Sequence, residues 1–362
     1  MLLTNGVLTG DKMAMERPQG PLNDQALALV ALDGHQVASR LARQAGVSRQ
    51  VANGVLKRLE EQGIVRAEGQ TRARVHRLVV ETLLDRKLDL AGLQEDRVWH
   101  ELVSPALGEL APNQRHIWGY AVTEMINNAI DHSGGHGLRL VAEGDALEIR
   151  VEVHDDGEGI FVHIQKALGL AQPEESLLEL AKGKLTTAPE AHSGQGIFFT
   201  SRAMDRFEIA SGELCFRHRE RAADRLVRLD PPVPGTRVHM ALARNSPRLL
   251  EKVFDDHTDP EDLTFDRTVV PLHLAQVGGQ ALVSRSQAKR IALRFERFKH
   301  VELDFEGVDE IGQGFADELF RVFAKNHPQT RLVPVNAGPL VDRMIRRAIA
   351  NAQQAAGDGP AT

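Results

Sequence analysis

The feature that most limits how this chain can fold lies in residues 124–160. Glu124-x-x-Asn127-Asn128-Ala129-x-Asp131-His132 is followed, one strand later, by Asp155-Asp156-Gly157-Glu158-Gly159-Ile160. Helical periodicity places Glu124, Asn128 and Asp131 at i, i+4 and i+7 on one face, with Met125, Ile126, Ala129 and Ile130 filling the other side. The glycine pair marks a turn whose backbone can approach a ligand closely. A carboxylate and an amide on one stripe beside such a turn supply the oxygen ligands of a Mg²⁺-phosphate site. Taken alone, the two segments also fit a calcium-binding turn and a capped helix end.

A length of 362 residues implies two or three domains, each able to bury a core. Because the net charge is only -6, any basic surface must be local. The single cysteine, Cys215, excludes an internal disulfide framework and a thiolate metal cluster, and fits a reducing cytoplasm. No apolar run has the length of a membrane helix, and residues 1–21 read as a flexible leader without the apolar core of a signal peptide. Composition then divides the chain into units at 22–80, 92–243 and 262–350. A turn-rich, acidic linker is expected at 244–261 and a frayed tail at 351–362.

In the first unit, Asn23 or Asp24 can cap a helix running to Leu32, and a second helix spans about Gln36 to Gln44. Ala45-Gly46-Val47-Ser48 closes that helix with a glycine and opens a third, Arg49 to Gln62, with a serine cap. Ile64–Ala67 and Arg74–Val79 alternate like strands around Glu68-Gly69-Gln70-Thr71. From Asp24 to Val79 this order resembles a winged helix-turn-helix domain. Between Gln36 and Leu78, nine basic side chains face three acidic ones, as a phosphate-binding surface requires. The resemblance implies DNA as partner, with Arg49, Gln50 and Asn53 entering the major groove and Arg72 and Arg74 on the wing reaching phosphate or minor groove. Winged helices also serve as protein docks, and patterning does not separate the two uses.

In the central unit, helices are expected at Glu95–Leu110 and Pro112–His132, and strands at Leu138–Ala142, Leu147–His154, Phe207–Ala210, Leu214–Arg217 and Gly235–Met240. His192-Ser193-Gly194-Gln195-Gly196-Ile197-Phe198 supplies a second glycine pair opening a helix, whose free N–H groups suit phosphate oxygens. The order E-x-x-x-N-x-x-D, D-x-G-x-G, G-x-G and Gly235-Thr236 resembles the GHKL superfamily of ATPases and kinases. That resemblance implies an α/β sandwich with helices covering one face of a mixed sheet, and ATP with Mg²⁺ as cofactors. It assigns Asn128 to Mg²⁺ and Asp155 to the adenine amine, with Thr236 supporting Asp155 through water. Gly157 and Gly159 would let the backbone pass the base, Gly194 and Gly196 would close over the triphosphate, and Asp131 and Ile160 complete the nucleotide set. Glu124 becomes the base that orients water, or a phosphotransfer aid. A mobile lid is expected within Phe161–Ala191, with Lys182, Lys184 or His192 touching phosphate.

His100-Glu101-Leu102-Val103-Ser104-Pro105 is similar to the phosphoacceptor box of sensor histidine kinases. The interval from His100 to Glu124 is too short for the helical hairpin that separates box and ATP domain there, so a helix-surface histidine is expected.

In the third unit, strands at Phe265–Pro271, Val301–Phe305 and Arg331–Asn336 alternate with helices at Ser284–Phe298, Phe315–Lys325 and Pro339–Ala350, indicating a small parallel or mixed sheet. Asp304-Phe305-x-Gly307-Val308-x-x-Ile311-Gly312-Gln313-Gly314-Phe315 resembles the STAS-like domains found beside GHKL modules. Phosphorylated relatives carry a serine where this chain has Gly312, Gln313 and Gly314, so phosphorylation is not expected there. Ser284–Arg290 reads as a solvated helix start, with a phosphate-holding patch as the alternative.

The fold class expected is therefore multidomain α/β. The resemblances imply a cytoplasmic, homodimeric transcriptional regulator that binds, and slowly hydrolyses, Mg-ATP, with a protein partner at the STAS-like domain. The alternative is a protein kinase of the anti-sigma type acting on a STAS protein. A scaffold with a dead nucleotide site is a third reading, against which Glu124 weighs.

Overall fold

The computed structural model describes residues 20–70, 74–184, 194–220, 222–258, 265–276 and 281–357. Most of the leader, Arg72, His192 and the last residues of the tail lie outside these.

Helix α1 (Pro21–Leu32) begins on Pro21, whose fixed φ suits the first helical position, and not behind an Asn23 or Asp24 cap. Helix α2 (Val37–Ala45) ends at Gly46 in the left-handed region. The Ser48 hydroxyl then accepts from the Val51 N–H at 3.2 Å and opens α3 (Arg49–Glu61). The three helices bury Leu27, Leu41, Val55 and Leu59 against one another, and β1 (Val65–Glu68) pairs antiparallel with β2 (Val75–Leu78). Ala146, from the central unit, joins this core and seats the first unit on the turn between β4 and β5.

The central sheet runs β3-β4-β5-β7-β6, formed by β3 (Glu81–Asp89), β4 (Gly137–Gly144), β5 (Glu148–Asp155), β6 (Arg206–Arg219) and β7 (Ala222–Ala243). All four pairings are antiparallel, so the sheet is not mixed as expected. Two hairpins, β4-β5 and β6-β7, build four of its strands, and β3 adds an edge from a segment with no assignment in the sequence reading. Strand β6 joins two expected strands because bulges around Gly212 carry the chain through without ending the ladder.

Strands β4 and β5 alternate between buried and half-buried residues, the mark of a sheet with one covered face. Helix α4 (Glu95–Val98) continues through a π-turn (Trp99–Val103) into α5 (Ser104–Leu107), where Pro105 cannot donate. Helix α6 (Pro112–His132) buries Ile117, Trp118, Ala121, Val122, Met125 and Ile126. Between β5 and β6 lie α7 (Ile160–Leu168), α8 (Glu175–Lys182) and α9 (Gly196–Ala203).

The expected linker contains α10 (Leu250–Asp255), and it is packed. The Phe254 ring meets Tyr120 at 5.4 Å and Phe199 at 4.4 Å, while the Asn113 amide donates to the Ser246 and Arg248 carbonyls. Beyond it, β8 (Arg267–Pro271), β9 (His300–Asp304) and β10 (Arg331–Val335) form a parallel sheet in the order β10-β9-β8. Helix α11 (Arg285–Ile291) starts in a capping box between Ser284 and Gln287. Helix α12 (Gln313–Asp317) runs through a π-turn (Glu318–Phe323) into α13 (Ala324–Asn326), and α14 (Pro339–Gly357) extends past Ala350. A Cβ on Gly312 would lie 2.6 Å from the Val283 carbonyl oxygen, which explains why no serine stands there. One hydrophobic core runs through the central and third units. No described helix is long and apolar enough to cross a membrane.

Candidate functional site

The polar stripe of α6 and the end of β5 enclose a cavity of about 300 Å³. Asp155 terminates β5, and the β5-β7 register sets Thr236 directly opposite it. The Gly157 N–H, at 2.9 Å, and the Thr236 N–H, at 3.1 Å, both donate to Asp155 Oδ1. Asp155 is 7% exposed; burial pushes its carboxyl above the usual carboxylate range, outweighing these two donors. Thr236 supports Asp155 through its own N–H. Its Oγ1 accepts from the Ile160 N–H at 3.0 Å and so satisfies an open donor at the start of α7.

Across the cavity, Asn128 carries a buried Nδ2 with no hydrogen-bond partner among the described residues. Such an amide costs free energy until something polar meets it. Glu124 and Asp131 line the same space, as the i, i+4, i+7 spacing predicts. Ile160, Gly194, Gly196 and Thr236 complete the expected residues that reach the cavity.

Gly157 and Gly159 do not line it and serve to build its wall. A Cβ on Gly157 would lie 2.1 Å from the Ser133 carbonyl oxygen at the end of α6. Gly159 holds φ +92°, and a Cβ there would meet Ser211 Oγ at 2.2 Å. The other acids of the turn are engaged elsewhere. Asp156 Oδ1 accepts the His136 and Gly137 N–H groups, which hold its carboxyl below the usual range, and Glu158 pairs with Lys166 and His163. Among the described residues no group of three or more His, Cys, Asp or Glu is arranged to hold a metal.

Two lysines expected at phosphate point away from the cavity. Lys182 is fully buried against Glu179 and donates to the Leu293 carbonyl at 2.9 Å, while Lys184 Nζ lies 3.0 Å from Asp266. His163, Leu180, Gly183, Ile209 and Val238 line the cavity without having been singled out. Val238 was within reach of a period-2 argument, two residues beyond Thr236 on the same sheet face. His100 is exposed on its π-turn and does not line the cavity.

On the first unit, Arg49, Gln50 and Asn53 are exposed on the first turns of α3, and Arg49 makes no ion pair among the described residues. Arg74 differs from expectation: both oxygens of Glu60 hold its guanidinium, at 2.8 and 2.9 Å.

Residues 90–217 match the family described as the histidine kinase-like ATPase domain, and residues 287–342 match a STAS-like domain of unknown function. No curated protein matches the chain. The first match contains the α6 stripe, the Asp155 turn and the Gly194–Gly196 pair. Over this span the chain is similar to histidine kinase-like ATPase domains, and Asn128 and the buried Asp155 both line the cavity.

Proposed function

We propose that this chain binds Mg-ATP in the cavity between α6 and β5, slowly hydrolyses it, and uses it to switch a DNA-binding transcriptional regulator. The observation that carries the nucleotide reading is that Glu124, Asn128 and Asp131, on one stripe of α6, line the same cavity as a desolvated Asp155. Both backbone donors to Asp155 meet Oδ1, so Oδ2 accepts from the adenine amine. Asn128 Oδ1 would hold Mg²⁺. A single protein ligand suits this ion, which keeps its waters and phosphate oxygens. Mg²⁺ when bound neutralises charge on the triphosphate. Glu124 orients water, Asp131, Ile160 and Thr236 surround the nucleoside end, Gly157 and Gly159 shape the turn beside it, and Gly194 and Gly196 close over the phosphates.

The three helices and hairpin of residues 21–78 support reading the first unit as a winged helix. Arg49, Gln50 and Asn53 then enter the major groove, with Arg72 and Arg74 on the wing. A dyad operator would suit a cytoplasmic homodimer, and the STAS-like domain offers a surface for a protein partner.

The test measures binding to duplex DNA with and without Mg-ATP, for the wild type and Asn128→Ala. Coupling present in the wild type and absent in the variant supports the switch; equal DNA binding in all four conditions overturns it. The STAS-like match favours a second reading, a kinase of the anti-sigma type, which label transfer from γ-labelled ATP to a STAS protein would select.

A further inference from the structure

Two walls of the cavity are held from behind by the third unit. Leu180 and Gly183 line the cavity at the end of α8, and the backbone that carries them is gripped by Arg294, a residue of the third unit. The Arg294 guanidinium donates to Glu179 Oε2 and to the Gly183 carbonyl, each at 2.8 Å, and also to the Lys184 carbonyl. Thr268, on β8, donates its hydroxyl to the Lys182 carbonyl at 2.6 Å. On the neighbouring wall, the cavity-lining Phe198 packs on Phe265 with ring centroids 4.8 Å apart.

Arg294 is 5% exposed and sits at φ +69°, a backbone conformation that favours glycine. A side chain that makes three bonds across the domain boundary is a physical reason for an arginine to occupy that strained position. The planar fork holds a carboxylate and two carbonyls in fixed directions, whereas a lysine offers one compact ammonium on a flexible stem. Glu179 meanwhile bridges Arg294 and Lys182, so removing Arg294 leaves a neutral buried pair, whereas removing Glu179 would strand two buried cations.

We infer that Arg294 is a positioning residue for the nucleotide pocket: the third unit, acting in cis through this guanidinium, holds the Leu180–Gly183 wall in its ligand-binding position. The inference rests on the nucleotide reading above. It makes the third unit part of the pocket's affinity, and any partner that draws Arg294 off α8 would release nucleotide.

The full-length wild type, Arg294→Met and Arg294→Lys are compared, with Arg346→Met, exposed on α14, as control. Mg-ATP affinity is read with a fluorescent ATP analogue, amide exchange is followed over residues 177–184, and thermal unfolding is recorded. If the wall is docked in only a tenth of Arg294→Met molecules, the apparent Kd rises about tenfold. Exchange at 177–184 rises while the rest of the central unit stays protected. Arg294→Lys, which keeps the charge beside Glu179, falls between, and Arg346→Met matches the wild type. A role in stability alone would lower the melting temperature and raise exchange throughout, leaving the Kd of the folded protein within twofold. An unchanged Kd or unchanged exchange at 177–184 in Arg294→Met overturns the inference. If Arg294→Met does not fold, the same two criteria apply to Arg294→Lys. A wild type that takes up no nucleotide overturns the reading of the pocket, and this inference with it; normal uptake by both wild type and variants overturns only the inference.

Discussion

Glu124 and Gly196 are in contact across the cavity: a Cβ placed on Gly196 would lie 1.9 Å from Glu124 Oε2 and 3.4 Å from its Cβ. A side chain at residue 196 would therefore have to displace the Glu124 carboxylate, and the acid of the polar stripe is placed against the opening of the second glycine pair.

Gly196→Ala must push the Glu124 carboxylate aside or part the two helices. Overpacking of this kind costs about 1–3 kcal/mol. Chemical denaturation should report that loss, and nucleotide affinity should fall further than stability alone explains; an alanine variant that binds ATP like the wild type would contradict the contact.

Asp155→Asn keeps an acceptor for the Gly157 and Thr236 N–H groups but sets an NH₂ donor where the adenine amine needs an oxygen. Losing one such bond and opposing two donors should weaken ATP by about 1–3 kcal/mol, with little change in folding stability. Isothermal titration with ATP and GTP checks this, since the loss should be confined to the adenine nucleotide.

Thr236→Val removes the acceptor for the Ile160 N–H while preserving volume. The stranded donor should cost about 1–2 kcal/mol, and exchange should accelerate first at the start of α7. Uniform acceleration across the central unit would refute a local role.

His257 sits among Phe198, Phe199 and Phe265, and burial, reinforced by nearby Arg202, pushes its pKa down to about 4. The unfolded chain binds this proton below about 6.5 while the folded chain refuses it. Stability should therefore be level above pH 6.5 and fall as pH drops towards 4, by at most about 3 kcal/mol from this group. His257→Phe keeps the ring packing and should flatten that part of the profile in urea unfolding at pH 4.5, 5.5 and 7.5, values chosen to bracket roughly this window.

Arg49→Ala should weaken binding to the preferred duplex by about 1–3 kcal/mol and relax the sequence preference at the base pair it reads. Arg74→Ala should change binding less, because Glu60 already neutralises its guanidinium. Equal losses for both variants would show that the Glu60 pair opens on DNA.

Much of the site was legible because its signals are local. The 3.6-residue period sets Glu124, Asn128 and Asp131 on one face wherever α6 goes, and the glycines at 157, 159 and 196 mark close approach by their identity. Ser48 behind Gly46 likewise announced the start of α3. Lys182 and Lys184 misled because a lysine beside a glycine loop suggests phosphate, and nothing in the local pattern shows which side of α8 meets a neighbour.

That neighbour is supplied by chain more than eighty residues away. Residue order and spacing determined that a polar helix stripe, a glycine turn and a second glycine pair would exist. Tertiary structure decided that β3 closes the edge of an antiparallel sheet, that the expected linker packs as α10, and that Arg294 grips the wall of the cavity. These depend on which distant surfaces share one dry core, and a buried cation such as Lys182 takes its partner from whatever polar groups that packing places within reach.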